Sequence, residues 1–461
     1  MRSRIAPISA FAFALLAAAT SLALAATTAT TAHAGGIETD EPREESAEPT
    51  SLTFMLRVRA EAGLQSARLV YKVLNPDGDV GGSAEGAFTS GAETDVVFTL
   101  KTIDFQRYIP VGSTFVYHWE LVDRDGDEFS TPEREFTFMD GRYTWRSMAE
   151  GGVRAFWYGN NDNGAMTALR AAREALETVG ALLDTTVPYE VKVVVWRSEE
   201  DGEAARQSRG VVFDQFINTQ GQRVAPDLIF VFAATSDVIR HETAHVVTHV
   251  AGDGPFSSIP SWLDEGTAVY AQSSPGQGYL QGLQDAVATD TTFSLRSMGA
   301  PANRPKDVNQ FYGQAYSAVD FLIEEFGVEK FAELYRVHHE GQRIDGALQA
   351  VYGFDQNGLY NAWREANNLR PELLTAPPTA TTAPAAEATR GPIALPSPDT
   401  AATTRPVAPA DSATATPQPA AGAAEAAASD SSTAAGLIVG LIAVLLALGL
   451  GAGAFVMLRR N

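Results

Sequence analysis

The chain has 461 residues and a formal charge of −22, with 56 acidic against 34 basic side chains and no cysteine. The acidic balance, without a Lys/Arg cluster ahead of the C-terminus, argues against nucleic acid and anionic membrane surfaces as partners. The lack of cysteine excludes disulfide stapling, thiolate metal sites and cysteine nucleophiles, so folded regions rely on their own cores.

Met1 to Ala34 opens with Arg2 and Arg4, continues as an apolar run from Ile8 to Ala26, and carries Ala-x-Ala sites ending at Ala25 and Ala34. That is the pattern of a secretory signal peptide, with cleavage expected after Ala34. The acidic stretch 35–50 reads as a disordered leader. From 51 to 140 the period is two: Leu52, Phe54, Leu56 and Val58 alternate with polar neighbours, as do Leu69, Tyr71 and Val73, and Phe115, Tyr117, Trp119 and Leu121. With turn signals at Asn75-Pro76-Asp77-Gly78 and Asp123 to Asp127, this predicts an all-β immunoglobulin-like or fibronectin-like sandwich. The Asp-rich turns read as hairpin turns in preference to calcium loops. His118, with no partner histidine nearby, reads as structural.

From 143 to 370 the pattern becomes mixed α and β. Leu169, Ala172, Leu176, Val179 and Leu183 step by three and four as one amphipathic helix, followed by strand patterns at Val191–Trp196, Val211–Phe216 and Leu228–Phe232. Thr235 or Ser236 then caps a helix that runs to Gly252 and contains His241-Glu242-Thr243-Ala244-His245. Positions i and i+4 share a helix face, so His241 and His245 can offer two imidazole nitrogens to one metal ion, with Glu242 beside them as a proton acceptor for a water. Catalytic zinc takes three protein ligands and leaves a position for water. Glu265, twenty residues after His245 on a second helix that starts at Pro260, is the candidate third ligand. His249 lies two turns from His241, too far to share its coordination sphere. Helices follow at Leu280–Ala286, Tyr312–Phe326, Val328–Val337 and Gly346–Val351, and His338-His339 read as a solvated helix end.

His241-Glu242-x-x-His245, nineteen intervening residues, then Glu265 within Trp262-Leu263-x-Glu265-Gly266-x-Ala268-x-Tyr270 resembles the gluzincin metallopeptidases, and among them the bacterial peptidase MA-like proteins. The resemblance implies that His241, His245 and Glu265 bind one Zn2+, that Glu242 is the general base, and that Tyr312 donates to the oxyanion, with Tyr316 as the alternative donor. It also implies a mixed sheet before the motif helix, whose edge strand pairs with the substrate backbone; either Val211–Phe216 or Leu228–Phe232 is that edge. Thermolysin has an Asn before its glutamate ligand and an Asp four residues beyond it that orients a histidine. Asp264 and Val269 stand there in this chain, so that partner is missing or supplied elsewhere. The Gly-rich substrate-anchoring motif of the zinc aminopeptidases is not found.

Residues 371–433, rich in Ala, Thr and Pro, read as a disordered linker, and 434–458 as one transmembrane helix. Arg459-Arg460 open a three-residue cytoplasmic tail, 459–461, which places the N-terminal domains outside the cell in a single-pass membrane protein. The expected architecture is multidomain: a β-sandwich, an α+β gluzincin domain, a linker and one membrane span. The expected function is a membrane-anchored extracellular zinc peptidase acting on peptide or protein substrates. The alternative is a catalytically silent surface protein for binding or adhesion that uses the same fold as a scaffold.

Overall fold

The computed structural model describes residues 32–34, 36–104, 107–207, 220–302 and 304–373. The expected signal up to residue 31, the strand Val211–Phe216, the linker from residue 374 onwards and the span 434–458 lie outside the described residues. Among those residues, no helix is long and apolar enough to cross a membrane.

The first region is β-rich, with two sheets. One has the order β1 (Ala32–Ala34), β2 (Ile37–Thr39), β4 (Ser51–Ala60), β3 (Arg43–Glu45), with β7 (Glu93–Lys101) also on β4. The other has the order β10 (Arg134–Thr137), β8 (Thr114–Asp123), β5 (Leu64–Val73), β6 (Val80–Glu85), with β9 (Glu128–Ser130) on β8. All these pairings are antiparallel. Alternation decides which residues turn inward: Leu52, Phe54, Leu56 and Val58 on β4, and Phe115, Tyr117, Trp119 and Leu121 on β8, are all buried. The rings of Phe54, Phe115, Tyr117 and Phe136 meet with centroids between 4.9 and 6.1 Å apart, joining the two sheets through one aromatic core.

Residues 35–50, expected to be a disordered acidic leader, instead carry β2 and β3. Ile37 and Thr39 are buried, and Glu44 accepts hydrogen bonds from the Tyr117 hydroxyl and from Arg134 Nε, both at 2.6 Å. These partners stand 73 and 90 residues further along the chain. Local composition carries no trace of them. Ala32–Ala34, the end of the expected signal, pairs with β2 in the same sheet.

A third sheet has the order β11 (Trp145–Glu150), β12 (Val153–Tyr158), β13 (Val191–Val195), β15 (Leu228–Val231), β14 (Gly221–Ala225). Its three inner strands are parallel and the two outer ones run antiparallel to their neighbours. The apolar run of β15 and the three valines that end β13 suit burial on both faces, and the one charge on β13, Lys192, is paired with Asp227 at 2.8 Å. One face, with Phe156, Val194, Trp196 and Phe230, continues the core of the first region past residue 140. The other, with Val153, Val193, Ile229 and Val231, packs on α1 (Asp162–Leu182) and, through Ile239 and Val246, on the motif helix. Among the described residues β14 is therefore the edge on the motif side. Leu228–Val231 lies inside the sheet, which corrects its candidacy as the edge strand.

After the short α2 (Glu199–Gly202) come the motif helix α3 (Ser236–Gly252), α4 (Ser261–Tyr270), α5 (Gln277–Thr289), α6 (Val308–Phe326), α7 (Val328–His339), α8 (Ile344–Tyr352) and α9 (Gln356–Ala366). They enclose a separate core built on Trp262, Leu263, Phe311, Leu322, Tyr335 and Trp363. Gly266 is required where α4 meets α6, since a Cβ there would lie 2.4 Å from the Ala315 carbonyl oxygen. That close approach seats α4, and Glu265 with it.

Candidate metal centre

Helix α3 starts where the Thr235 hydroxyl accepts the Val238 N–H at 3.4 Å, and it carries His241, Glu242 and His245. The following loop is pinned: Asp253 accepts the Ile259 N–H at 2.9 Å, while His338 and His339 donate through Nδ1 to the Gly252 and Asp253 carbonyls, both at 2.8 Å. Those two histidines thus act as staples. The loop delivers α4, with Asp264 and Glu265, to the motif helix.

There His241 Nε2 lies 3.3 Å from His245 Nε2, and Glu265 Oε2 lies 3.3 and 3.4 Å from these two nitrogens. Ligand atoms at about 2.0–2.1 Å from a tetrahedral zinc stand roughly 3.3–3.4 Å apart, so the triangle has the size of a zinc face. Glu265 Oε2 is buried and faces these two imidazole nitrogens, an arrangement in which a cation between the three would meet its charge. Burial alone would push the His245 imidazole down, yet the Asp264 and Glu265 carboxylates outweigh it and hold it well above its ordinary value. Glu265 is held well below the usual carboxylate range, the imidazoles overcoming its burial. The cluster thus favours positive charge, and the donor set fits zinc.

Each histidine is held from behind. His245 Nδ1 stands 2.8 Å from Asp264 Oδ1, which also accepts the Thr248 hydroxyl at 2.6 Å. Asp264, directly before Glu265, is thereby the carboxylate that orients His245, while position 269 is Val. His241 Nδ1 is 3.1 Å from the side-chain amide of Gln272.

Glu242 is 8% exposed, and its Oε2 accepts the Arg223 N–H of β14 at 2.9 Å. Gly221 makes room for it: a Cβ there would stand 2.6 Å from Glu242 Cγ. These groups open into a cleft of about 640 Å³, walled by Gly221, Gln222 and Arg223 of β14, by Ser274 to Gln277, and by Tyr279 and Tyr312. The Ser273 amide and hydroxyl, each 2.8 Å from the Asp237 carboxylate, tie that second wall to α3. Tyr312 stacks on Tyr279 at 5.0 Å and its ring centre is 6.1 Å from that of His241. Burial, with Glu265 and Glu242 nearby, pushes the Tyr279 hydroxyl up. Tyr316 stacks on Tyr270 instead and does not line the cleft.

The structure thus gathers His241, Glu242, His245, Glu265 and Tyr312 and leaves Tyr316 outside. Sequence reasoning missed Asp264 as a partner, Gln272, Tyr279 and strand β14. Only Asp264 had a signal, its place beside the third ligand.

Residues 206–368 match the family described as the Peptidase MA superfamily. Among solved structures, the chain is similar to the M1 zinc metallopeptidase from Deinococcus radiodurans. A single-residue mutant of it is 14% identical with a TM-score of 0.35, over 72% of this chain and 92% of that one. The same mutant bound to a Tyr-Ser-Ala substrate is 12% identical with a TM-score of 0.37, over 72% and 94%. The M1 enzyme in a third structure is 12% identical with a TM-score of 0.31, over 71% and 93%. No curated protein matches.

Proposed function

Since residues 206–368 form a gluzincin-type, peptidase MA-like region, we propose that the chain is a zinc-dependent peptidase that hydrolyses peptide bonds in peptides or proteins, with one Zn2+ per chain. The observation that carries this reading is the zinc-sized triangle of His241, His245 and Glu265, with the Glu242 carboxylate in the same cleft.

Zinc in such a site supplies Lewis-acid polarisation of a carbonyl and eases deprotonation of a water. Glu242 takes the proton from the attacking water and passes it to the leaving amine. Its hydrogen bond from the Arg223 N–H fixes the direction of the carboxylate, so the proton is received at a set place. The Tyr312 hydroxyl donates to the oxyanion that develops on the carbonyl oxygen. Strand β14, the edge strand among the described residues, lines the cleft and would pair with an extended substrate through the backbone groups that Glu242 leaves unused.

The same reading places the enzyme outside the cell, tethered by the apolar run 434–458 and the linker before it, with an immunoglobulin-like module in front of the catalytic region. The apolar run and the signal pattern at 1–34 support the address. The test is cleavage of a mixed peptide library by the full chain. Cleavage abolished by a chelator and restored by zinc is the expected result; cleavage indifferent to the chelator contradicts the proposal.

A further inference from the structure

The two histidines of the cluster are supported unequally. His245 leans on a carboxylate, Asp264, whereas the only group bonded to His241 Nδ1 among the described residues is the neutral amide of Gln272 at 3.1 Å. The next turn of α4 offers no acceptor, because position 269 is the fully buried Val269. Gln272 comes just after that helix ends, and its neighbour Ser273 bonds twice to Asp237, one turn before His241 on α3. Consecutive residues thus clamp two successive turns of the motif helix.

Resting on the zinc reading above, we propose that Gln272 is the positioning residue for His241. His241 Nε2 faces the triangle, so in the metal-binding tautomer the ring proton sits on Nδ1, which must donate. An amide accepts only through its oxygen, and a half-turn about its last bond exchanges nitrogen for oxygen at the same place. Gln272 then accepts from Nδ1–H, fixes both tautomer and ring direction, and leaves the Nε2 lone pair aimed at the metal. A leucine of similar size keeps the packing and removes the acceptor. A glutamate restores an acceptor.

The experiment measures zinc affinity of the full chain by competition with a chelator, for wild type, Gln272→Leu and Gln272→Glu, with melting of the zinc-free proteins as a check on folding. Losing an orienting partner of this kind typically costs ~10–100-fold in metal affinity. The expected result is a loss of that order in Gln272→Leu and affinity at or above wild type in Gln272→Glu. If Gln272→Leu does not fold, Gln272→Asn, one methylene shorter, takes its place with the same expectation. Wild-type affinity in the leucine or asparagine variant, or an equal loss in the glutamate variant, overturns the assignment while leaving the zinc reading intact. A wild-type chain that binds no zinc overturns both.

Discussion

Both halves of the described chain bury acidic groups, and they differ in what those groups do. In the β-rich region Asp123 accepts the amides of Asp125 and Asp127 within its own turn, and Asp140 is bonded by the Arg142 backbone amide and guanidinium. Their bonding capacity is used locally. In the helical region the buried Glu265 oxygen converges with two imidazoles of another helix, beside the Glu242 carboxylate in an open cleft. Convergence of donor atoms from separate helices on a cleft, more than burial, distinguishes a site from a structural acid.

The strongest way to break the contrast is to damage the first region and look for an effect in the second. Phe115 is fully buried among Phe54, Tyr71, Phe136 and Phe138. Phe115→Ala should cost about 3–5 kcal/mol in unfolding stability, leaving zinc affinity of the folded protein unchanged. Because the aromatic core continues into the third sheet, calorimetry should show the two regions melting together. A separate early transition would show that the shared core does not couple them. Next in size, Tyr312→Phe should lower kcat by roughly 10²–10³-fold with zinc content intact. An unchanged kcat would reduce Tyr312 to a packing partner of Tyr279.

What could be read in advance follows the range of the interactions. Period two in β4 and β8 and the i, i+4 spacing of His241 and His245 are local, so the first region and the motif helix were legible. Glu265 was legible because its helix carries its own motif. Gln272 lies 31 residues from the ring it contacts, and only the folded packing reveals the pair. Strand β14 hid for another reason: its five residues are all half-buried, so Gly221-Gln222-Arg223-Val224-Ala225 shows neither alternation nor an apolar run. The strands within 35–50 were masked by charges whose partners sit on distant strands.

The smallest expected effect concerns the contact between the halves. His249 Nε2 lies 3.0 Å from Asp77, on the turn between β5 and β6, and its Nδ1 lies 2.7 Å from Asp253. The bond to Asp253 raises the His249 pKa against burial, Asp77 adds to the rise, and Arg223 opposes it. Burial would raise Asp253, but His249 and the Ile259 amide outweigh it and hold it low. A raised imidazole contributes stability that is complete below its unfolded value of ~6.5 and lost as pH climbs through its folded pKa. A depressed carboxylate contributes above ~3.8–3.9 and loses its contribution as pH falls through its folded pKa. Asp77→Ala should therefore cost under about 1 kcal/mol near pH 6, as Asp77 is half exposed, and progressively less at alkaline pH. Denaturant titrations of both proteins across pH would check it; a difference that grows with alkalinity would contradict the ion-pair account.

The central claim is that this cluster holds zinc and that Glu242 moves the proton. It is tested most directly by measuring zinc per chain and peptide cleavage together, for wild type and Glu242→Gln. One zinc is expected in each protein, with cleavage in the mutant reduced by at least ~10²-fold. Wild type without zinc, or a mutant that cleaves as well as wild type, would contradict it.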